Sequence, residues 1–370
     1  MAMVTLTVVL TVNPGSASLQ LHVVQTDGDE VLAADTSAEK VGQASAARAL
    51  DDLLQDIDTP IAAVGHRLVH GGPHIRSPSV LSEWVIEQAR TAATLAPAHV
   101  PVTLELLDIV RTRLPDVPHV LCPDTAFHAD LPETSATYPI PWEWREQFGI
   151  RRYGFHGLSY TWATARTAQL LDRPIDSVNL LLAHLGGGCS VCAVRRGSSV
   201  DTSMGFTPLE GVPMSTRSGS VDPGMLLWLL DRMPLAEVRE GLYHRSGLLG
   251  LSAGRSGDTR DLVRAASQGD RTARCALDVF TRRVSQSLAA MAVNLPRLDA
   301  LVFTGEIGWD QPEVRQAVCE DLTRLGVPPS LAVRNPTEDC VVSSPDAPVL
   351  VLAVEPREEL QIARDTVQAI

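Results

Sequence analysis

Arg67, Arg217 and Arg260 each stand among Gly, Ser, Thr or His rather than in a run of surface charge. Arginine offers a planar fork of donors that grips carboxylate or phosphate at two points, which lysine cannot do. Singly, each is equally well read as a surface ion pair worth about 0–1 kcal/mol. As a set they predict an anion site. Two glycine-rich stretches accompany them, Gly186-Gly187-Gly188 and Gly305-Glu306-Ile307-Gly308. Without a Cβ, backbone N–H groups at such places can approach a polyphosphate closely. Asn13, Asp124 and Glu358 are oxygen donors near the expected ends of strands and helices, suited to Mg2+ and its waters. The plainer account of these acids is a helix cap or surface charge, and Glu358 at a helix start would favour the dipole anyway.

The elements that must hold these residues alternate between strand and helix. Residues 180–183 are an apolar run that breaks at His184, Leu185 and the three glycines, and residues 189–194 form a second run. That is strand, glycine turn, strand, followed by a polar loop ending in Thr216-Arg217-Ser218-Gly219. An ordinary hairpin with a surface loop would read the same way. Residues 4–12 and 19–24 repeat the pattern around Asn13–Ser18, which hints at a duplicated architecture. Residues 61–64 read as a short strand delivering Gly65 to Gly72, with Arg67 between His66 and His70. Helical spacing marks residues 44–57, 82–94, 102–114, 157–171, 223–232, 235–243, 271–294, 313–325 and 358–370. Residues 246–252 read as a connector, and residues 119–121, 300–304 and 349–354 as strands. The expectation is an α/β fold of mostly parallel or mixed sheets covered by helices.

A chain of 370 residues is too long for one small core and predicts two domains. A net charge of −13 argues against a general nucleic-acid or anionic-membrane surface, but not against a local anion site. The first residues read as a strand rather than a signal peptide, and no apolar run is long enough to cross a bilayer. A cytoplasmic protein is expected. The six cysteines are scattered; Cys189 and Cys192 make a CxxC inside an expected strand and read as buried thiols, not a metal site.

The motifs as a set resemble the acetokinases, within the superfamily of acetate and sugar kinases, heat-shock ATPases and actin. The segments are NPGSASL at Asn13, GHRLVHGG at Gly65, LAPAHVP at Leu95, DTAFH at Asp124 and RRYGFHGLS at Arg151. HLGGG at His184, VDTSMGFTPLEGVPMSTRSG at Val200, SGLLGLS at Ser246, FTGEIG at Phe303 and EELQIARDT at Glu358 follow in family order. The resemblance implies two domains of one duplicated ribonuclease H-like (actin-like ATPase) fold with the active site in the cleft between them. The first would span 1–126 plus 358–370 and the second 127–357. It implies reversible phosphoryl transfer from ATP to acetate, giving acetyl phosphate and ADP, with Mg2+ (Mn2+ as an alternative) and a homodimer. Matched residue by residue, Asp124, His156 and Arg217 would be catalytic, and Asn13 and Glu358 would hold the metal. Arg67, Val69, Ala98, Phe155 and Pro208 would surround the acid. Gln20, His184, Leu185, Gly186, Gly187, Gly188, Asp258, Thr259, Arg260, Glu306, Ile307, Gly308, Trp309 and Asp310 would contact the nucleotide.

Four positions depart from the family pattern. Gln20 replaces a lysine, Gly187 an asparagine, and Glu306 the first glycine of a G-I-G-E-N loop. Ala98 replaces a leucine of the acid pocket. The first three predict a weakened or altered phosphoryl donor, and Ala98 predicts room for propionate. A non-catalytic ligand-binding homologue is the alternative from another class, and the presence of Arg67, Asp124, His156, Arg217 and Glu358 argues against it.

Overall fold

Strand β1 (Val8–Pro14) is buried along its whole length, as expected of an apolar run covered on both faces. In the computed structural model the described residues are 8–15, 18–28, 30–37, 43–97 and 99–370. Ala98, and residues 4–7 of the expected first strand, lie outside them. The chain divides into two compact units, Met1–Ala129 with Arg357–Ile370, and Asp130–Pro356.

The first unit is built on a mixed sheet of β1, β2 (Leu19–Gln25), β3 (Glu30–Ser37), β4 (Ala63–Leu68), β5 (Ser79–Val80) and β6 (His119–Pro123), in the order β3-β2-β1-β4-β6-β5. β1–β2–β3 is an antiparallel meander, β4 and β6 join in parallel, and β5 closes the edge antiparallel. Helices Gln43–Gln55 and Val100–Arg113 bring Leu50 and Leu106 onto Leu10, Val12 and Leu21. Helix Glu83–Ala92 starts at Ser82, whose hydroxyl accepts from the Val85 N–H at 3.2 Å. The last helix, Glu358–Ala369, lies directly on β4. A Cβ at Gly65 would stand 2.2 Å from Thr366 Oγ1 and 2.6 Å from Ile362 Cγ2, so only glycine allows this approach.

The second unit repeats the plan. Its strands are β7 (Asn179–Leu185), β8 (Cys189–Arg195), β9 (Ser198–Thr202), β10 (Ala300–Thr304), β11 (Cys340–Val341) and β12 (Leu350–Ala353), in the order β11-β12-β10-β7-β8-β9. Read from the other edge this is the first sheet again, with the same parallel and antiparallel partners. Even the irregularity recurs: the register shifts at Val23/Val24 in β2 and at Ala193/Val194 in β8. The duplication is therefore real in backbone pairing, although the residues differ.

Several local expectations change. β4 runs through Leu68, so Arg67 projects from within the strand rather than from beyond its end. Residues 246–252 hold a short helix, Gly247–Leu251, instead of a plain connector. Gly305 to Gly308 are not a glycine turn but the opening of helix Gly305–Asp310. The following Pro312 has no N–H to continue that helix and restarts the chain as Pro312–Asp321, with a 3-10 turn at Thr323–Leu325. Among the described residues no helix is long and apolar enough to cross a membrane.

Candidate active site

In the first unit, adjacent strand ends gather four of the expected residues. Asn13 ends β1, Arg67 lies in β4, Asp124 follows β6, and Glu358 opens the last helix. Arg67 Nη2 donates to Asp124 Oδ2 at 2.7 Å and Nε to Oδ1 at 3.0 Å, a two-point grip. Arg67 Nη1 donates to Asn13 Oδ1 at 3.0 Å and stands 3.5 Å from Glu358 Oε2. Asn13 Nδ2 donates to Glu358 Oε2 at 3.0 Å and to Gln20 Oε1 at 3.3 Å. Asp124 is 1% exposed, and its own N–H donates to the Leu68 carbonyl. Burial works against the Arg67 charge, but Asp124 and Glu358 outweigh it and raise its pKa above the usual arginine value. The guanidinium is thus held rigidly, partly exposed, in a frame of oxygen acceptors. Val69 is buried beside it in sequence.

Oxygen donors of this kind suit a hard cation that keeps most of its waters and is held by one or two carboxylates. Among the described residues no group of three or more His, Cys, Asp or Glu is clustered as a closed metal cage. Asn13, Glu358 and Asp124 fit Mg2+ in the open sense only. Cys189 and Cys192 are buried free thiols, and burial pushes both up to about 12.

In the second unit, His156 precedes helix Gly157–Leu170 with φ of +60°, a left-handed conformation that costs a non-glycine residue about 1–2 kcal/mol. Strain of this sort is kept where it aims a side chain. His156 Nδ1 is 2.8 Å from Ser190 Oγ, and its ring stacks on His184 with centroids 4.1 Å apart. His184 Nδ1 is in turn 2.8 Å from Ser159 Oγ. A Cβ built on Gly188 would stand 3.0 Å from His156 Nε2 and 3.1 Å from Arg217 Nη2. Those two nitrogens therefore converge over the hairpin glycine. Arg217 Nη1 is anchored on the Pro208 carbonyl at 2.7 Å, and Phe155 and Pro208 are buried.

Next to the hairpin lies a cavity of about 310 Å³ lined by Gly186, Gly187, Asp258, Thr259, Arg260, Glu306, Ile307 and Asp310, together with Ser215, Ser256, Gly257 and Gln311. Eight of the expected nucleotide residues are on that wall. Leu185 is instead a fully buried core side chain, and Gly308, Trp309, His184 and Gly188 are not among the lining residues. Gln20 belongs to the other unit, hydrogen-bonded to Asn13. Arg260 stands on this wall with its side chain 66% exposed. Its Nη2 donates to Asp258 Oδ2 at 2.6 Å, and Asp258 also caps the helix by accepting from the Arg260 N–H at 2.8 Å. The Arg260 hydrogen bond holds Asp258 below the usual carboxylate range. Glu306 is exposed on the wall.

The profile of the acetokinase family matches residues 20–364. The chain belongs to the acetokinase family. It is 40% identical to an acetate kinase of Deinococcus radiodurans over 96% of both chains, and 39% identical to one of Geobacillus kaustophilus over 97% of this chain and 98% of that one. Among solved structures, a propionate kinase of Francisella tularensis is similar with a TM-score of 0.90 at 31% identity, covering 98% of this chain and 100% of its own. Porphyromonas gingivalis acetate kinase follows with 0.89 at 31%, covering 98% and 99%.

Two arginines outside the expected site residues support the cavity wall and the loop beside it. Arg315 is fully buried, and its Nη1 donates to the carbonyl of Gly308 at 2.8 Å and to that of Trp309. A buried guanidinium thus pins the far end of helix Gly305–Asp310. Arg152 donates to the carbonyls of Thr202, Ser203 and Met204 at 3.1 Å and to Glu210 at 3.0 Å, holding the loop that leads to Arg217. For Arg315 the one sequence signal is an arginine among Val314, Val318 and Cys319 of its helix, whereas Arg152 lies outside any helix in the RRYGFHGLS segment. Neither setting tells a carbonyl clamp from an exposed charge.

Proposed function

We propose that this chain catalyses reversible, Mg2+-dependent phosphoryl transfer from ATP to acetate, giving acetyl phosphate and ADP. The convergence of His156 Nε2 and Arg217 Nη2 over Gly188, beside a cavity of about 310 Å³, carries the reading. Acetate is ionised at neutral pH, since carboxylic acids titrate near ~4–5. Its oxygen attacks the γ-phosphorus as the bond to the ADP oxygen breaks, and no proton has to move. The obstacle is electrostatic. Two like charges about 4 Å apart repel by about 4 kcal/mol at an effective dielectric near 20. Arg67 takes the carboxylate, held in orientation by Asp124 and Asn13. Arg217 and His156 donate to the phosphoryl oxygens as charge spreads over them. One arginine in such a role is worth roughly 10³–10⁵ in rate. Glu358 and Asn13, with Asp124, would hold the magnesium, which when bound neutralises phosphate charge.

Trapping acyl phosphate with hydroxylamine tests this directly. Hydroxamate should form with acetate and ATP and vanish in Arg217→Ala; none with any donor would support a non-catalytic binding protein instead. A kcat/KM series over acetate, propionate and butyrate addresses acid length, with Ala98→Leu expected to penalise propionate. A methylene is worth about 1–3 kcal/mol of such discrimination. A second reading concerns the donor, because Glu306 and Asp310 put carboxylates on the cavity wall. It requires that ATP bind weakly and that Glu306→Gly restore it; ordinary ATP binding with no effect of that change would end it.

We also read the protein as a homodimer. Helix Pro223–Leu230 leaves Leu227 67% and Trp228 55% exposed, more apolar surface than one helix usually shows to water. A second copy covering it should give twice the chain mass in light scattering, and Leu227→Glu should give monomer. A cytoplasmic location follows from the nucleotide pair that the reaction uses.

A further inference from the structure

Behind His156 runs a buried chain of hydroxyl groups. Tyr160 sits one turn along the same helix, is fully buried, and places its hydroxyl 2.6 Å from Ser190 Oγ. Ser190 is itself fully buried, with Oγ 2.8 Å from His156 Nδ1. Burial holds the phenol pKa well above the usual tyrosine range, so the hydroxyl keeps its proton. A buried phenol that keeps its proton needs an acceptor for it, and Ser190 Oγ at 2.6 Å supplies one. A serine hydroxyl has one proton of its own to give. With Tyr160 donating to it, Ser190 directs that proton to His156 Nδ1. The ring proton of a neutral imidazole must then sit on Nε2, the nitrogen that meets Arg217 over Gly188.

The surroundings act in the same direction. His184 stacks 4.1 Å away on β7, Arg217 Nη2 approaches Nε2 from the loop, and Cys189 on β8 is a neutral thiol. A second positive charge on the ring would meet Arg217 at close range. An imidazolium would also turn Nδ1 into a donor, leaving Ser190 facing two donors with its own proton unplaced.

We infer that Tyr160 and Ser190 are positioning residues that hold His156 as the neutral Nε2–H tautomer, so that a donor and not a lone pair meets the phosphoryl oxygens. This rests on the role for His156 proposed above. It adds two residues that touch no substrate and act through a third.

The test uses the full chain with 15N-labelled histidine, His156 being assigned by comparison with His156→Gln. In the wild type, Nδ1 should be the unprotonated nitrogen; in Tyr160→Phe the two tautomers should mix. Kinetically, Tyr160→Phe should lower kcat about tenfold, the size of one hydrogen bond lost, with both KM values changed by less than about twofold. In a His156→Ala background the same change should cost less than about twofold, because Tyr160 then has nothing to act through. A purely structural tyrosine would cost the same in both backgrounds, and that equality would overturn the inference. So would a wild-type His156 protonated at Nδ1. Should Tyr160→Phe fold poorly, Ser190→Ala provides the same cycle. If the wild type forms no acyl hydroxamate, the proposed reaction fails while the tautomer measurement still decides this relay.

Discussion

The guanidinium of Arg67 and the carboxylate of Asp124 meet at 2.7 Å and 3.0 Å in a two-point pair, with Asp124 almost wholly buried. Removing one member of a buried pair strands the other charge and costs about 3–5 kcal/mol. Asp124→Ala should therefore lower the denaturation midpoint and abolish hydroxamate formation together. Arg67→Lys should remain folded but lose the grip on the acid, because an ammonium cannot span both carboxylate oxygens and Asn13. Calorimetry and acetate KM, measured on both variants, separate the two effects.

Neighbouring glycines of the β7–β8 hairpin should behave oppositely. A Cβ on Gly188 would intrude to within 3.0 Å of His156 Nε2 and 3.1 Å of Arg217 Nη2, whereas one on Gly187 meets nothing within 4 Å. Gly188→Ala should cut kcat by at least about tenfold by displacing the two donors. Gly187→Ala should leave kcat within about twofold. Equal effects of the two changes would show that the donors do not converge there.

Arg315 should matter for nucleotide and not for acid. Replacing it with Met leaves the Gly308 and Trp309 carbonyls without their donor, inside the fold. Unsatisfied buried groups cost about 1–3 kcal/mol each. The expected outcome is roughly a tenfold weaker ATP Kd by calorimetry, with acetate KM unchanged. A shift in both constants would point to a global loss of structure.

Acid should weaken the first unit through two histidines. His66 and His119 meet at 2.9 Å, and His119 Nε2 donates to the Leu114 carbonyl. Burial, then His119 and Arg111, holds His66 well below the usual range, and burial lowers His119 as well. With folded-state pKa values depressed, the unfolded chain binds protons first, beginning near ~6.5. Stability from this pair is complete above that pH and falls as the pH drops through it. Urea midpoints between pH 5 and 7 should show the loss, and a His66→Leu/His119→Leu chain should show a shallower one.

Asp365 works in the reverse sense. Burial pushes it up to about 6 in the fold, so its contribution is present at low pH and is lost as the pH rises through that value. Asp365→Asn keeps an acceptor for the Gln361 side chain, which donates to it at 2.7 Å. It should stabilise the protein at pH 7 by up to about 3 kcal/mol, because each tenfold change in proton affinity between the folded and unfolded chain is worth about 1.4 kcal/mol. No gain at pH 7 would mean that Asp365 titrates as an ordinary surface acid.

Periodicity and punctuation marked most of the elements because they are local. The apolar runs of β1 and β7 and the helical spacing of residues 82–94 and 102–114 each act within a few residues. The six-residue helix Gly305–Asp310 escaped because a glycine-rich start after a strand has the composition of a turn, and its clamp, Arg315, comes after it in the sequence. Arg67 and Arg217 were singled out by their small polar neighbours. Arg260 shares those neighbours and, like Arg67, pairs with an aspartate, yet its side chain is 66% exposed where that of Arg67 is 14% exposed. Residue type and context do not distinguish these outcomes.

By itself the sequence determined two repeats of strand, small-residue turn and strand, the acetokinase motifs in order, and the residue types that oppose anion–anion repulsion. Only the tertiary structure decided which of those residues meet. Asn13, Arg67, Asp124 and Glu358 come from four separate elements and form one network because β1, β4 and β6 lie side by side and the last helix rests on Gly65. Likewise, His156 is joined to Tyr160 and Arg217 across the fully buried β8 residue Ser190 and the hairpin glycine Gly188. A hydrogen bond depends on distance and direction set to a few tenths of an ångström by packing, and chain spacing has no term for that.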